Sequence, residues 1–149
     1  MAALGLISDT HGLVRSEAVE ALRGVDRILH MGDVGGAEVL EQLEAIAPVS
    51  AVRGNTDHGA WADDLPMSLT LDTHGMRVHL VHDIDTLDLD PMAADIGVVL
   101  FGHSHKPHEE ERDGVLYVNP GAAGPRRFNL PVSVALLRSG PKVEFVTLG

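Results

Sequence analysis

Leu4-Gly5-Leu6-Ile7-Ser8-Asp9-Thr10-His11 decides the fold. A short apolar run ends on a carboxylate and an imidazole two residues apart. The same succession recurs along the chain. Asp33 follows Arg27-Ile28-Leu29-His30-Met31-Gly32, and Asn55 follows Val49-Ser50-Ala51-Val52-Arg53-Gly54. His82 follows Val78-His79-Leu80-Val81, and His103 and His105 follow Val98-Val99-Leu100-Phe101-Gly102. Positions 9, 33, 55, 82 and 103 step by 24, 22, 27 and 21 residues. A β-strand with its returning connection needs a span of that order, so each group of ligand side chains is expected just past the carboxyl end of a strand. Open α/β sheets place their sites on that rim. Seven oxygen and nitrogen donors without a thiol suffice for two cations that share one carboxylate.

Outward from these runs, the pattern predicts a strand over Ala2–Ser8, a helix over Ser16–Arg23 with Ser16 as N-cap, and a strand over Arg27–Met31. A helix over Ala37–Ala47 places Val39, Leu40, Leu43 and Ile46 at helical spacing, and Pro48 ends it before a strand over Val49–Val52. Ser68–Leu71 and Met76–Val81 flank Asp72-Thr73-His74-Gly75, which reads as a hairpin turn. Asp90–Asp95 reads as a short helix with an Asp cap and Pro91 in its first turn. Val98–Phe101 is a buried strand, and Val115–Val118, Val132–Leu137 and Val143–Leu148 make a β-rich tail. Alternating helices and strands followed by hairpins predict an α/β fold, with two sheets face to face and helices outside.

The bulk numbers narrow the function. At 149 residues with 44% hydrophobic residues, a single domain over residues 1–149 is expected. No apolar run approaches ~18 residues, which argues against a membrane span. The N-terminus lacks the basic region and cleavage site of a signal peptide. With no cysteine there is no disulfide, thiolate metal site or cysteine nucleophile, and a cytoplasmic location is expected. The net charge of −11 argues against nonspecific nucleic-acid binding, which neutralises phosphates with Lys and Arg. Glu109-Glu110-Glu111 reads as a solvated surface turn.

Each motif alone has an ordinary explanation. Asp9-Thr10-His11-Gly12 could cap a helix, Gly32-Asp33 could be a turn, and His103-Ser104-His105 could be exposed loop histidines. Gly54-Asn55-Thr56-Asp57 is less ordinary, because an Asn carbonyl beside a strand end is a good hard ligand. If His103-Ser104-His105 stays extended, its two rings point to opposite sides and can serve neighbouring cations. All five motifs after strands in one chain favour the metal reading.

These motifs, with Phe101-Gly102-His103-Ser104-His105-Lys106-Pro107 and Asn119-Pro120-Gly121, resemble the calcineurin-like metallophosphoesterase superfamily over Leu6 to about Arg126. The branch they resemble is the small, YfcE-like phosphodiesterases. The resemblance implies a four-layer α/β/β/α sandwich of two mixed β-sheets flanked by helices, as one metallophosphoesterase domain. It implies that Asp9, His11 and His105 hold one metal, that Asn55, His82 and His103 hold the other, and that Asp33 bridges them. Asp33, Asn55 and His103 are also assigned catalytic work. Two divalent ions are expected, with manganese favoured and Fe, Zn, Ni or Co as alternatives. Such a pair lowers the pKa of a bridging water for in-line attack on phosphorus, so the expected substrate is a small-molecule phosphate ester, a phosphodiester before a monoester.

Departures from the pattern bear on specificity. Thr56 stands where larger phosphatases carry a proton-donating His. Asp83-Ile84 follows His82 where relatives have Gly-His, the segment to Val98 is short, and Ala122 stands where relatives often have Ser. His30 is expected to be buried and structural, and His58, His74, His79 and His108 to be surface or hairpin residues. Arg126-Arg127 reads as an exposed basic pair, and Trp61 as a packing, substrate-groove or self-association residue, so a homo-oligomer is left open. The alternative to an enzyme is a metal-binding interaction scaffold of the same fold, as in a retromer subunit that has lost part of the ligand set. Here every expected ligand is present.

Overall fold

The protein is described by a computed structural model covering residues 3–127 and 129–148. Among these residues ten strands form two five-stranded mixed sheets. The first has the order β10-β9-β1-β2-β3, from β1 (Leu4–Ile7), β2 (Arg27–His30), β3 (Val49–Ala51), β9 (Ser133–Arg138) and β10 (Lys142–Thr147). The second has the order β4-β5-β6-β8-β7, from β4 (Ser68–Thr73), β5 (Met76–Val81), β6 (Val98–Leu100), β7 (His108–Arg112) and β8 (Val115–Asn119). Strands β1, β2 and β3 run parallel, as do β5, β6 and β8.

The alternation of side chains explains the unbroken apolar runs. Leu4 and Leu6 of β1, Leu29 and Met31, Val78 and Leu80, and Val98 and Leu100 fill the space between the sheets. The intervening Ile7 and Ile28 pack outward under α1 (Ser16–Ala21) and α2 (Ala37–Glu44) with Ala18, Leu22, Val39 and Leu43. A strand covered on both faces has no polar side to show. On the far side, Val81, Val99, Phe101 and Val115 pack under Ile84, Leu89, Ala94 and Ile96. That outer layer is thin, built from a 3-10 turn at Ile84–Thr86 and the turns after it. The architecture is the expected sandwich of two mixed sheets with helices outside.

Several local expectations are corrected. Asp90–Asp95 forms turns, not a helix. Asp90 caps as expected, Oδ1 accepting from Met92 N at 3.1 Å and its carbonyl from Ala94 N at 3.0 Å, but Asp95, with φ of 61°, ends the run after that single turn. Ser16 is the first helical residue, not the cap. Arg15 holds the N-cap position, and Ser16 Oγ turns to Glu17 at 3.2 Å. Glu109–Glu111 lies in edge strand β7, paired with β8 through the two-residue turn Asp113-Gly114. Its charges blunt an edge that would otherwise invite another strand. The first hairpin turns on His74-Gly75 alone, so Asp72 and Thr73 belong to β4. All four turn residues have positive φ, as I′-type hairpins require. Residue Ala2 of the first expected strand lies outside the described residues. A short helix at Ala60–Asp63, α3, was not expected, and Trp61 within it packs against the core under α1 and α2. No helix among the described residues is long and apolar enough to cross a membrane.

Candidate metal centre

Five parallel strands from the two sheets end on one rim, and the loops leaving them carry the candidate ligands. Asp9 and His11 follow β1, Asp33 follows β2, Asn55 follows β3, His82 follows β5, and His103 and His105 follow β6. Asp9, His11, Asp33, His103 and His105 all have positive φ, between 46° and 75°. Non-glycine residues tolerate this region at a cost that clusters at functional sites. The His-Ser-His segment is therefore not extended as expected. Its two backbone turns still send the rings apart, His105 stacking on His11 at 5.4 Å between centroids and His103 edge-on to His82 at 5.2 Å.

Each central carboxylate is held by one oxygen and offers the other. Asp9 Oδ2 accepts from Ser8 Oγ at 2.8 Å and from His103 N at 3.1 Å. Its Oδ1, fully buried and without a hydrogen-bond partner, faces His105 Nε2 at 3.6 Å, His11 Nε2 at 3.9 Å and His82 Nε2 at 4.0 Å. Asp33 Oδ1 accepts from Thr56 N at 3.0 Å, and Oδ2 lies 3.3 Å from His82 Nε2 and 3.7 Å from His11 Nε2. Asn55 Oδ1 lies 3.0 Å from His82 Nε2. Six of the seven expected ligands thus converge. His103 stands at the exposed margin, its Nε2 4.0 Å from Asp83.

The donor chemistry fits divalent cations. His11 Nε2 joins Asp9 Oδ1 as a buried polar atom without a hydrogen bond, a costly state when nothing else fills it, while His105 turns Nε2 toward Asp9. Gaps of 3.6–4.0 Å are too long for hydrogen bonds. Ligands about 2.0–2.2 Å from one cation stand at roughly such separations from each other. Asp9, His11 and His105 form one compact group, and Asp9, Asp33 and His82 another, so the carboxylate common to both is Asp9, while the expected bridge Asp33 belongs to the second and reaches the first at His11, 3.7 Å away. His82 Nδ1 donates to the Met31 carbonyl at 2.7 Å, which leaves Nε2 as the ligand nitrogen. In the neutral ring that lone pair faces the oxygens of Asn55 and Asp33, and a proton or a cation relieves the repulsion.

The electrostatics carry the same message. Burial pushes the Asp9 carboxyl above its ordinary range, against the pull of His82, Ser8 and His105. Burial also opposes the charge on Asp33, but bonds from His82 and the Thr56 amide outweigh it and hold that carboxyl well below the usual range. For His82, burial is outweighed by Asp33 and Asp9, and its pKa is raised. Burial lowers the pKa of His105.

Surrounding groups fix the loops. Asp57 is the one that sequence reasoning quoted without a role. It is fully buried, Oδ2 accepting from Gly54 N at 2.9 Å and Val34 N at 3.2 Å, Oδ1 from Gly35 N at 3.0 Å. It ties the Asp33 loop to the Asn55 loop, and its place at the end of a Gly-Asn-Thr-Asp turn was the available signal. Asn119 Nδ2 donates to Gly102 O and Ser104 Oγ, both at 3.1 Å, and supports the histidine loop. His30 is fully buried. His58 and His108 are exposed, and His74 sits in the hairpin turn. His79 lies in the β4–β5 hairpin but is buried, 2.8 Å from Thr70 Oγ1. Arg126 and Arg127 are exposed.

Residues 2–140 match the family described as the calcineurin-like phosphoesterase superfamily domain. The chain is 34% identical to a probable metallophosphoesterase of Methanothermobacter thermautotrophicus, over 95% of this chain and 88% of that protein. It is 27% identical to a protein named phosphodiesterase from Methanocaldococcus jannaschii, over 79% of this chain and 82% of the other. Among solved structures, Vps29 of Entamoeba histolytica in complex with zinc superposes with a TM-score of 0.76 at 22% identity, covering 99% of each chain.

Proposed function

The chain belongs to the calcineurin-like phosphoesterase superfamily, and we propose that within it this protein is a two-metal phosphodiesterase acting on a small phosphate ester, in a single domain spanning residues 1–149. The observation that carries the proposal is the free Oδ1 of Asp9, buried among three imidazole nitrogens at 3.6–4.0 Å. Asp9, His11 and His105 would hold one cation, and His82, Asn55 and His103 the other, with Asp33 presented to both. Two divalent cations so placed supply Lewis acidity toward the phosphoryl oxygens and make a hydroxide available at neutral pH. The mixed imidazole, carboxylate and amide set suits manganese among other first-row ions.

The protein's own groups decide the rest. Thr56 uses its backbone amide to fix Asp33, and its hydroxyl is too weak an acid to protonate a leaving oxygen. That favours esters whose leaving group departs without a proton, which is why a diester is preferred here over an alkyl monoester. The relative named phosphodiesterase supports this preference. The ligand set weighs against a role as an interaction scaffold alone. The test is hydrolysis of bis-nitrophenyl phosphate by metal-free protein, by manganese-loaded protein and by manganese-loaded Asp9→Asn. Turnover that needs manganese and falls at least 100-fold in the variant supports the proposal. Equal rates in all three samples would refute it.

A further inference from the structure

Asp83 follows His82 directly, and the mechanism above leaves it without a task. Its conformation is fixed by its own turn. Oδ1 accepts from Asp85 N at 3.0 Å, and the carbonyl accepts from Thr86 N at 3.0 Å and from Thr86 Oγ1 at 2.7 Å. These bonds close the 3-10 turn Ile84–Thr86 and leave Oδ2 as the carboxylate oxygen not held by the turn. Oδ2 lies 4.0 Å from His103 Nε2. The two loops are joined through their backbones, Gly102 N donating to His82 O at 2.9 Å. The facing of Asp83 and His103 is thus set by main chain on both sides, not by two long side chains meeting in solvent.

The neighbouring histidine is held more tightly, by a 2.7 Å hydrogen bond on its outer nitrogen. His82 gives its outer ring proton to the Met31 carbonyl and keeps Nε2 for the site. The His103 side chain is 47% exposed and has more freedom to turn, so an outer partner matters more for it.

We propose that Asp83 is a positioning residue for His103. Its Oδ2 faces Nε2 across 4.0 Å, beyond hydrogen-bond reach, and its negative charge favours the tautomer with the proton on Nε2, whose Nδ1 keeps a lone pair for a cation. The inference rests on reading His103 as a ligand, as above. Partners on the second nitrogen of a ligating imidazole fix its tautomer and orientation, and losing one typically weakens metal binding about 10–100-fold. The β5 loop would then supply one ligand, His82, and orient a second, so that both histidines of this cation group depend on residues 82–83.

The experiment uses the full chain with labelled histidine. In metal-free protein with the ring neutral, long-range proton–nitrogen correlations should find His103 mainly as the Nε2–H tautomer. Asp83→Ala should give a mixture of tautomers. Asp83→Ser should do the same, although its hydroxyl can still cap the turn at Asp85 N. Calorimetric titration with manganese should show the weaker of two sites loosened about 10–100-fold in both variants, with the tighter site within about twofold and Asp83→Glu recovering most of the loss. An unchanged tautomer in Asp83→Ser overturns the proposal, including the case where manganese affinity still falls, since Asp83 would then be a direct ligand. If the unmodified protein takes up no second cation, the two-metal reading fails on that result. The tautomer comparison still decides whether Asp83 orients His103.

Discussion

His30 Nε2 lies 3.0 Å from Thr10 Oγ1, directly beneath the loop that carries Asp9 and His11. The Thr10 hydroxyl donates to the Val34 carbonyl at 2.7 Å, so it accepts from His30, while Gly32 N donates to Nδ1 at 3.1 Å. Both ring nitrogens of the neutral imidazole are thereby satisfied, and a second proton would break the Gly32 bond. Burial, assisted by the nearby His82, pushes its pKa down to about 3 from an ordinary 6.5. The unfolded chain therefore takes up a proton below about pH 6.5 that the folded one refuses until near 3. Stability is lost as pH falls through that window, by about 1.4 kcal/mol per unit. In urea melts of metal-free protein, His30→Gln should be less stable than the parent at pH 7. The gap should narrow by roughly 2 kcal/mol by pH 5. A gap of constant size would show that His30 is not held neutral.

Gly32→Ala should damage the site through its backbone. Gly32 has φ of 101°, and a Cβ there would lie 2.7 Å from His82 Nδ1 and 2.9 Å from Gly54 N. The added carbon meets a ring held to Met31 and a main-chain amide, neither of which can move far. A loss of about 1–3 kcal/mol in unfolding free energy is expected from overpacking, with manganese affinity reduced in the same variant. Parental stability and affinity would mean that the two loops separate easily.

Asp33→Asn should cost far more activity than Thr56→Ala. Asp33 Oδ2 faces His82 and His11, one from each ligand group, and losing its charge weakens both. Thr56 holds Asp33 chiefly through its backbone amide, which alanine retains, with a lesser bond from its hydroxyl, which alanine loses. General-acid catalysis is worth about 10²–10⁴-fold, and Thr56→Ala should show less than about threefold. Comparable kcat/KM losses in both variants would reveal work done by the Thr56 hydroxyl.

Substrate preference follows from the same position. Bis-nitrophenyl phosphate should be hydrolysed with a higher kcat/KM than an alkyl monoester, because nitrophenolate leaves without a proton. Thr56→His should narrow the difference if its ring reaches the leaving oxygen. A parent enzyme that prefers the alkyl monoester would require another proton donor.

The strand ends were legible because apolar runs buried on both faces stop abruptly at polar ligand residues, as Val98-Val99-Leu100 does before His103. The candidate ligand groups were legible because their residue types are rare together at strand ends. Three kinds of feature were not. Asp90–Asp95 carries a helix-start signal and Asp90 does cap a first turn, but the left-handed backbone at Asp95 stops the helix there. Glu109–Glu111 carries no apolar alternation, since an edge strand is held by its β8 partner and not by burial. The left-handed backbone at His103 and His105 arises from the loop's tertiary bonds, such as His103 N to Asp9 Oδ2, which no local pattern records.

The most direct test of the account is the number of cations held per chain. Metal-free protein is loaded with manganese, dialysed mildly and analysed for metal and protein together, with thermal melts before and after loading. The account predicts close to two manganese ions per chain and a higher Tm on loading, because binding to the folded state alone stabilises it. His11→Ala and His82→Ala should each lose one ion. A reproducible value near zero, with no change in Tm, would contradict the two-metal reading.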